Sequence, residues 1–353
     1  MKYTNKLLIW LLLTAFLVTS CTETDDPIPL GRYSDGIWVV NEGNFTDGNG
    51  SLSFWIPDSS LIINDAFRAE NGSQLGGIIQ QMIQQDNRLL IVTNASDQII
   101  NTDANTLENS ITITDESIVS PFNVAVLNNK AYVTTWGSSE NFPSYPDASV
   151  KIIDLATSNI IKTIDLGERP MGILSHQGSI YVANEQGDQI EVIDPATDEI
   201  VSSISLTLGE VSATGPSKMI AQGNTLWILC SNNDFSGDGF LVEVDLSDNS
   251  VTSILTEVPV SGFNEKFVLY ESTLYLINDE FVYTIDTTAP VTPTTAFITA
   301  PFTIYGIGVD PTTGNIYVGE SEFGDEADVI IYNQAGTQVT TFTAGVGVNS
   351  FIF

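Results

Sequence analysis

One short phrase recurs seven times along the chain, an apolar or aromatic strand that usually ends at Asn, Glu, Asp or Ser. The copies start at residues 37, 89, 131, 180, 226, 274 and 316, so they lie 42 to 52 residues apart. A period of this length is close to that of the blades of a β-propeller, in which each repeat forms one small sheet. The repeat therefore indicates a ring of sheets rather than a single continuous core.

The unit around the fourth copy contains all the strands of one blade. Residues 170–174 precede the strand that starts at Ile180, residues 189–194 follow it, and residues 199–206 come after a Pro-Ala-Thr-Asp turn. The aspartate before this turn recurs as Asp154, Asp194 and Asp286. A residue repeated in this way is expected to shape the turn by accepting local backbone N–H bonds. Helical periodicity is nearly absent, so the pattern predicts an all-β fold with four-stranded blades.

The two ends of the repeat region fit together. The chain begins its first unit at a second strand, near Gly36, and ends with residues 348–353, which resemble the first-strand segments at 121–126 and 170–174. We therefore predict a seven-bladed β-propeller over residues 36–353 whose C-terminal strand completes the first blade. Such a closure pairs a strand edge that would otherwise be exposed.

The N-terminal segment is typical of an export signal. Lys2 and Lys6 precede an apolar run over residues 7–18, which is shorter than the roughly 20 residues of a membrane-spanning helix. Residues 17–21, Leu-Val-Thr-Ser-Cys, resemble a lipobox, so we predict a signal peptide over 1–20, lipidation of Cys21 and a lipidated tether over 21–35. An ordinary signal peptide with a chance cysteine is the alternative. Acidic residues after Cys21 resemble a surface-export signal, which predicts an outer-membrane lipoprotein at the surface of a Gram-negative cell.

Cysteine usage and charge restrict the chemistry. Once Cys21 carries lipid, Cys230 has no partner for an intramolecular disulfide, and its apolar surroundings predict a buried, unreactive thiol. The formal net charge is −33 with only 11 basic residues, so the chain would repel a phosphate backbone. Nucleic acid is therefore excluded as a partner.

A ligand site is expected at one end of the central channel, where the loops after the second strands meet the loops before the first strands. Amides and aromatic rings are frequent in these loops and suit a large, amphipathic small-molecule ligand. The predicted ligand-binding residues are Asn41, Asn44, Phe45, Trp136, Tyr145, Arg169, Asn184 and Phe235. For each asparagine, the alternative is that it only shapes a turn.

Catalytic and metal-binding patterns are sparse. One histidine, His176, is too few for a metal cluster of the usual type, and no serine or cysteine context indicates a nucleophile. We therefore predict no enzymatic activity and no required cofactor. The spacing of Asn232, Asp234, Ser236 and Glu243 matches a calcium loop with two substitutions, but without its usual helices. A simple Gly-Asp-Gly turn is the alternative.

The repeated phrases I-Y-V-A-N-E and I-E-V-I-D-P-A-T resemble those of the YncE-like propellers over nearly the whole mature chain. In the first blade, V-V-N-E-G-N-F at residues 39–45 and N-G-S-L at residues 49–52 resemble a group of envelope lipoproteins within that superfamily. Some members of this group are surface lipoproteins that capture cobalamin above an outer-membrane, TonB-dependent corrinoid transporter. The resemblance implies corrinoid binding, delivery to such a transporter, and thus a role in nutrient uptake.

Two alternatives remain, because a resemblance in fold does not fix a function. One is a propeller scaffold or a capture protein for another ligand, such as haem, a glycan or a protein partner. The other, which has less support, is a propeller lactonase, which would need a metal or an acid/base pair in the channel.

Overall fold

Seven antiparallel sheets of four strands make up the chain from residue 37 to residue 352. The structure, a computed structural model, describes residues 31–138, 140, 144–231, 238–260 and 266–353. Within these residues, no helix is long and apolar enough to cross a membrane. The predicted all-β, seven-bladed propeller is confirmed.

Each blade is numbered in chain order, and its strands are given from the channel outward. Blade 1 consists of β30 (Val348–Ile352), β1 (Ile37–Asn41), β2 (Ser51–Ile56) and β3 (Leu61–Ile63), and blade 2 consists of β4 (Ile78–Gln85), β5 (Arg88–Asn94), β6 (Gln98–Asp103) and β7 (Ile111–Ile113). Blade 3 consists of β8 (Pro121–Leu127), β9 (Lys130–Thr135), β10 (Ser149–Asp154) and β11 (Asn159–Asp165), and blade 4 consists of β12 (Pro170–His176), β13 (Ser179–Asn184), β14 (Gln189–Asp194) and β15 (Glu199–Ser205). Blade 5 consists of β18 (Pro216–Gln222), β19 (Thr225–Cys230), β20 (Gly239–Asp245) and β21 (Ser250–Val258). Blade 6 consists of β22 (Phe267–Tyr270), β23 (Thr273–Asn278), β24 (Phe281–Asp286) and β25 (Ile298–Thr299), and blade 7 consists of β26 (Ile304–Val309), β27 (Ile316–Glu320), β28 (Asp328–Tyr332) and β29 (Gln338–Thr343). The remaining elements are the hairpin β16 (Thr207–Leu208) and β17 (Val211–Ser212), a 3₁₀ turn (Pro57–Ser59) and the helix α1 (Ala66–Asn71).

The ring closes through the pairing of β30 with β1, as the sequence predicts. Trp38 lies opposite Ile352, Val39 opposite Phe351 and Val40 opposite Ser350. The inner strand of each blade contacts the inner strand of the next blade, and β30 contacts both β26 and β4. The last strand of the chain is therefore one of the seven inner strands that line the channel.

The hydrophobic core is divided among the interfaces between blades. Each cluster of buried apolar side chains combines two adjacent sheets, as where Tyr132 of blade 3 packs with Ile173 and Ile180 of blade 4. The backbones also approach closely, since a Cβ atom on Gly172 would collide with the carbonyl oxygen of Ser217 in the next blade. Burial against both neighbours provides most of the hydrophobic stabilisation of a blade.

The recurring aspartates have the turn-shaping role expected of them. Asp154 Oδ1 accepts the N–H groups of Ala156 at 2.8 Å and of Thr157 at 2.9 Å. Asp194 and Asp286 accept N–H groups of their own turns at 2.9 Å and 2.8 Å. Because these bonds favour the ionised carboxyl, they lower the pKa of Asp154 and of Asp286.

Deletion of residues 347–353 should lower the melting temperature of the whole propeller. The deletion exposes an edge of β1 and removes Val348 and Phe351, which are 0% and 7% exposed. We expect the milder variant Phe351→Ala to cost about 3–5 kcal/mol of unfolding free energy. Thermal denaturation followed by circular dichroism measures both, and a synthetic peptide of residues 347–353 should restore stability to the truncated protein. A truncated protein that melts like the full chain would contradict the role of β30.

Candidate functional site

The loops after the second strands and the loops before the first strands lie at one end of the channel, which we call the loop face. Six of the seven inner strands shift their register at this end. The residues left without a strand partner at these bulges are Gln80, Phe122, Asn123, Met171, Gly172, Ser217, Tyr305 and Asn349. A bulge redirects side chains that would otherwise alternate between the two faces of a sheet, and bulges are frequent beside functional sites.

Four residues of blades 3 and 4 form a group that we call the Trp136 cluster: Phe122, Trp136, Tyr145 and Arg169. The ring of Trp136 stacks on that of Phe122, with centroids 4.3 Å apart, and lies 5.7 Å from the ring of Tyr145. The guanidinium carbon of Arg169 lies 5.0 Å from the Trp136 ring centroid and 5.6 Å from that of Tyr145. The indole N–H of Trp136 donates to the carbonyl of Pro170 at 2.9 Å. These contacts hold the rings in place before any ligand arrives.

Arg169 also forms an ion pair with Glu185, directly after β13, and both side chains are buried. Burial raises the pKa of Glu185, while the charge of Arg169 and its hydrogen bond act in the opposite direction. Asn184, the residue before Glu185, is 4% exposed. Trp136, Tyr145, Arg169 and Asn184, four of the eight predicted ligand-binding residues, are thus brought together at one junction between blades.

A second group, the Glu42 cluster, joins blade 1 to blades 2 and 7. Glu42 Oε2 accepts the hydroxyl of Tyr305 at 2.6 Å and the amide of Asn349 at 2.6 Å, while Oε1 accepts the amide of Gln80 at 3.3 Å. Burial raises the pKa of Tyr305, and the carboxylate of Glu42 adds to this effect. The Tyr305 hydroxyl therefore stays protonated and donates a hydrogen bond.

Lys266 lies against the Glu42 cluster. Its ammonium nitrogen is 3.6 Å from the ring centroid of Tyr305 and donates to the Tyr305 carbonyl at 2.7 Å. The pKa of Lys266 is lowered to about 7, mainly by burial; the charge of Glu42 opposes this effect, and the positive charge of Lys218 adds to it. The mouth of the channel thus holds basic side chains in a chain whose net charge is −33.

The other predicted residues have different surroundings. Asn41 is fully buried, and its amide donates to Ser53 and Ser51 and accepts the N–H of Gly345. The Asn44 side chain donates to the carbonyl of Phe323 at 2.9 Å and accepts the N–H of Thr46 at 2.8 Å, so both asparagines organise loops of blade 1. Phe45 is 71% exposed.

Several predictions lie outside the described residues. These are the predicted ligand contact Phe235, the calcium ligands Asn232, Asp234 and Ser236, and the lipidation site Cys21. Glu243, the fourth predicted calcium ligand, lies within β20, where its partners are Trp227 and Ser253. Among the described residues, no group of three or more His, Cys, Asp or Glu side chains could hold a metal ion.

Cys230 is buried, as its apolar sequence surroundings predict. His176 ends the inner strand β12, and its Nε2 lies 2.7 Å from the carbonyl oxygen of Gly223, so this nitrogen carries the proton and donates.

The sequence did not single out the buried acids Glu42 and Glu185. Both follow an asparagine at the end of a second strand, in the phrases Asn41-Glu42 and Asn184-Glu185. This repeated Asn-Glu pair is the sequence feature that could have identified the two acids. It did not reveal the partners of the acids, because Tyr305 lies 263 residues away from Glu42 along the chain.

Replacing Arg169 with methionine should lower the free energy of unfolding by about 3–5 kcal/mol, because it leaves the Glu185 carboxyl buried without its cation. The pKa of Glu185 then rises further above its unfolded value, so the variant loses more stability as the pH increases. Urea denaturation at pH 5 and pH 8 should therefore show the larger loss at pH 8. The double variant Arg169→Met/Glu185→Leu should regain most of the loss. An equal loss at both pH values would contradict this account.

Replacing Lys218 with methionine should raise the pKa of Lys266 above its value of about 7, because a nearby positive charge is removed. Glu42→Gln should lower it. NMR titration of labelled lysine side chains measures both changes, and Lys162→Met, on the outer strand β11, provides a control that should leave Lys266 unchanged. A Lys266 that titrates near 10 in the unaltered protein would refute the burial effect.

Solved structures with low sequence identity share the fold. One is a quinonprotein alcohol dehydrogenase-like protein (BT1487) from Bacteroides thetaiotaomicron, at 16% identity and a TM-score of 0.69, with 91% of this chain and 78% of that chain covered. BamB from Moraxella catarrhalis matches at 14% identity and a TM-score of 0.53, with 92% and 88% covered. Dihydro-heme d1 dehydrogenase NirN, solved in complex with DHE, matches at 10% identity and a TM-score of 0.58, with 90% and 66% covered.

At these identities the structural matches show the propeller fold and nothing more specific. No curated protein matches the sequence. A family model, described as a domain of unknown function (DUF5074), matches residues 35–348 and so spans nearly the whole propeller. The chain belongs to the DUF5074 family.

Proposed function

We propose that this propeller captures a large, flat, amphipathic small molecule at its loop face without transforming it. The observation that carries the proposal is the Trp136 cluster, in which stacked rings and a buried arginine are fixed before binding. Rigid aromatic groups lose little conformational entropy when a ligand covers them.

The chemistry of the channel mouth narrows the class of ligand. Partly exposed side chains that surround it are Gln80, Phe122, Trp136, Lys218, Lys266, Tyr305 and Phe323. Aromatic rings cover apolar faces, the amide and hydroxyl groups bond carbonyl or amide edges, and the lysines attract a negative charge. A macrocycle with polar edges and an anionic group matches this combination.

The ligand we favour is a corrinoid. A cobalamin presents a broad flat face, a rim of amides and one phosphodiester, and it requires no histidine ligand from the protein for capture. The resemblance of residues 39–45 and 49–52 to the corrinoid-capturing lipoproteins supports this choice. NirN, which has a similar fold, was solved in complex with DHE.

The cellular role follows from the N-terminal sequence. A signal peptide over residues 1–20 and a lipid on Cys21 would anchor the protein at the outer membrane, on the cell surface. There it would hand its ligand to a TonB-dependent transporter. A propeller scaffold, or capture of haem, a glycan or a protein partner, is the second candidate, and it is favoured by the fold itself.

Isothermal titration of the purified protein with cyanocobalamin should show saturable binding at one site. Trp136→Ala should weaken this binding at least about tenfold, as expected for a central aromatic contact. The double variant Lys218→Gln/Lys266→Gln should weaken cyanocobalamin but not dicyanocobinamide, which lacks the phosphodiester. Lys162→Gln, on the outer strand β11, is the matched control and should bind like the unaltered protein.

Other outcomes separate the alternatives. Binding of haemin without binding of either corrinoid would refute the corrinoid assignment and keep capture at the loop face. No binding of any of the three compounds, together with copurification of an outer-membrane protein, would favour the scaffold. Lactone hydrolysis that a chelator abolishes would contradict capture without catalysis.

A further inference from the structure

The seven repeats differ at one buried position. The second residue of the second-strand phrase is aromatic in six blades: Trp38, Tyr132, Tyr181, Trp227, Tyr275 and Tyr317. Each of these rings is buried and belongs to the apolar cluster that its blade shares with the next blade. In blade 2 the position is Leu90, which faces blade 3 in the same way.

The junction between blades 3 and 4 shows what the aromatic residue does. The hydroxyl of Tyr132 donates to Asp198 Oδ1 at 2.7 Å, and the ammonium of Lys130 donates to Asp198 Oδ2 at 2.6 Å. A ring, a carboxylate and a cation thus fill the space between the two sheets. The carboxylate comes from the turn between the third and fourth strands of the following blade.

The junction between blades 2 and 3 keeps only the cation. Arg88 stands two residues before Leu90, as Lys130 stands two residues before Tyr132. Ser158 occupies the turn position of Asp198, and both residues have a left-handed backbone, with φ of 57° and 56°. The ring and the carboxylate are therefore both missing, while a basic side chain remains.

A cleft of about 750 Å³ lies at this junction, lined by Arg88 and Leu90 together with apolar side chains that include Ile111, Val126 and Leu155. This volume falls within the range of small-molecule sites. Arg88 is held by Asn101, whose side-chain oxygen accepts Nε–H at 2.7 Å and whose carbonyl accepts Nη2–H at 3.2 Å. Among the described residues, Arg88 forms no ion pair with an acid.

We propose that this cleft binds a small organic acid, whose carboxylate pairs with Arg88 and whose apolar body occupies the space of the missing ring. The ligand would supply the two groups that Tyr132 and Asp198 supply one junction further on. The other three arginines, Arg32, Arg68 and Arg169, each form an ion pair with an acid, and the planar guanidinium group suits two-pronged binding of a carboxylate. Asp86 also lines the cleft, which disfavours a second negative charge on the ligand.

The cleft is separate from the loop face. The turns that line it, at Asp86 between β4 and β5 and at Asn128 between β8 and β9, join first strands to second strands. In an antiparallel blade these turns lie at the opposite end from the loops that follow the second strands. The two sites can therefore be occupied independently.

Isothermal titration with 3-phenylpropanoate tests the proposal, with the neutral 3-phenylpropanamide as the comparison. The acid should bind saturably and at least about tenfold more tightly than the amide, because a charge-assisted bond to Arg88 is lost in the amide. Arg88→Gln should abolish this preference for the acid. Lys130→Gln, which removes the equivalent cation at the filled junction, should leave binding unchanged.

A second variant tests the origin of the cleft. Leu90→Tyr/Ser158→Asp should rebuild the arrangement of the next junction, raise the melting temperature and eliminate binding of 3-phenylpropanoate. Binding of cyanocobalamin at the loop face provides an independent check in the same protein. Equal affinity for the acid and the amide, an unchanged preference in Arg88→Gln, or no binding of the acid at millimolar concentration would each overturn the proposal.

Discussion

The antiparallel pairing of β30 with β1 is the constraint on which the other interfaces of the ring depend. Each blade buries its two faces against its two neighbours, so an open ring would leave one face of the first blade and one of the last exposed to water. By placing the last strand inside the first sheet, the chain removes both exposed faces and one free strand edge. The same strand carries Asn349 to Glu42, so the closure of the ring also assembles part of the candidate site.

Closure of the ring alone would give the inner strands a regular alternation of side chains. The bulges at the loop face interrupt this alternation and change which side chains lie at the mouth of the channel. Where an inner strand shifts register, residues such as Gln80 and Tyr305 leave the regular alternation of the sheet. Their hydrogen bonds to Glu42 connect three blades. The candidate site is therefore built on the inner strands, each of which contacts the inner strands of both neighbouring blades.

The junctions between blades share one plan and differ in how completely they are filled. A tyrosine and an aspartate close the junction of blades 3 and 4, while a leucine and a serine at the same positions leave a cleft between blades 2 and 3. In a repeat protein, a departure from the shared pattern at a buried position changes the shape of one interface without disturbing the others. Such departures give an individual junction side chains and a shape that the shared pattern does not provide.

The sequence by itself determined the number of blades, their four strands, the closing strand and the turn role of Asp154 and its counterparts. These features depend on local patterns, which are alternation within strands, turn residues and repetition, and a single chain displays all of them. It also indicated the loops in which a ligand site is expected. Only the tertiary structure decided which residues meet there. It buried Asn41 within blade 1, and it joined Arg169 to Trp136 and Glu42 to Tyr305. Those contacts join residues on different blades, and their geometry depends on the rotation between sheets, which no local pattern encodes.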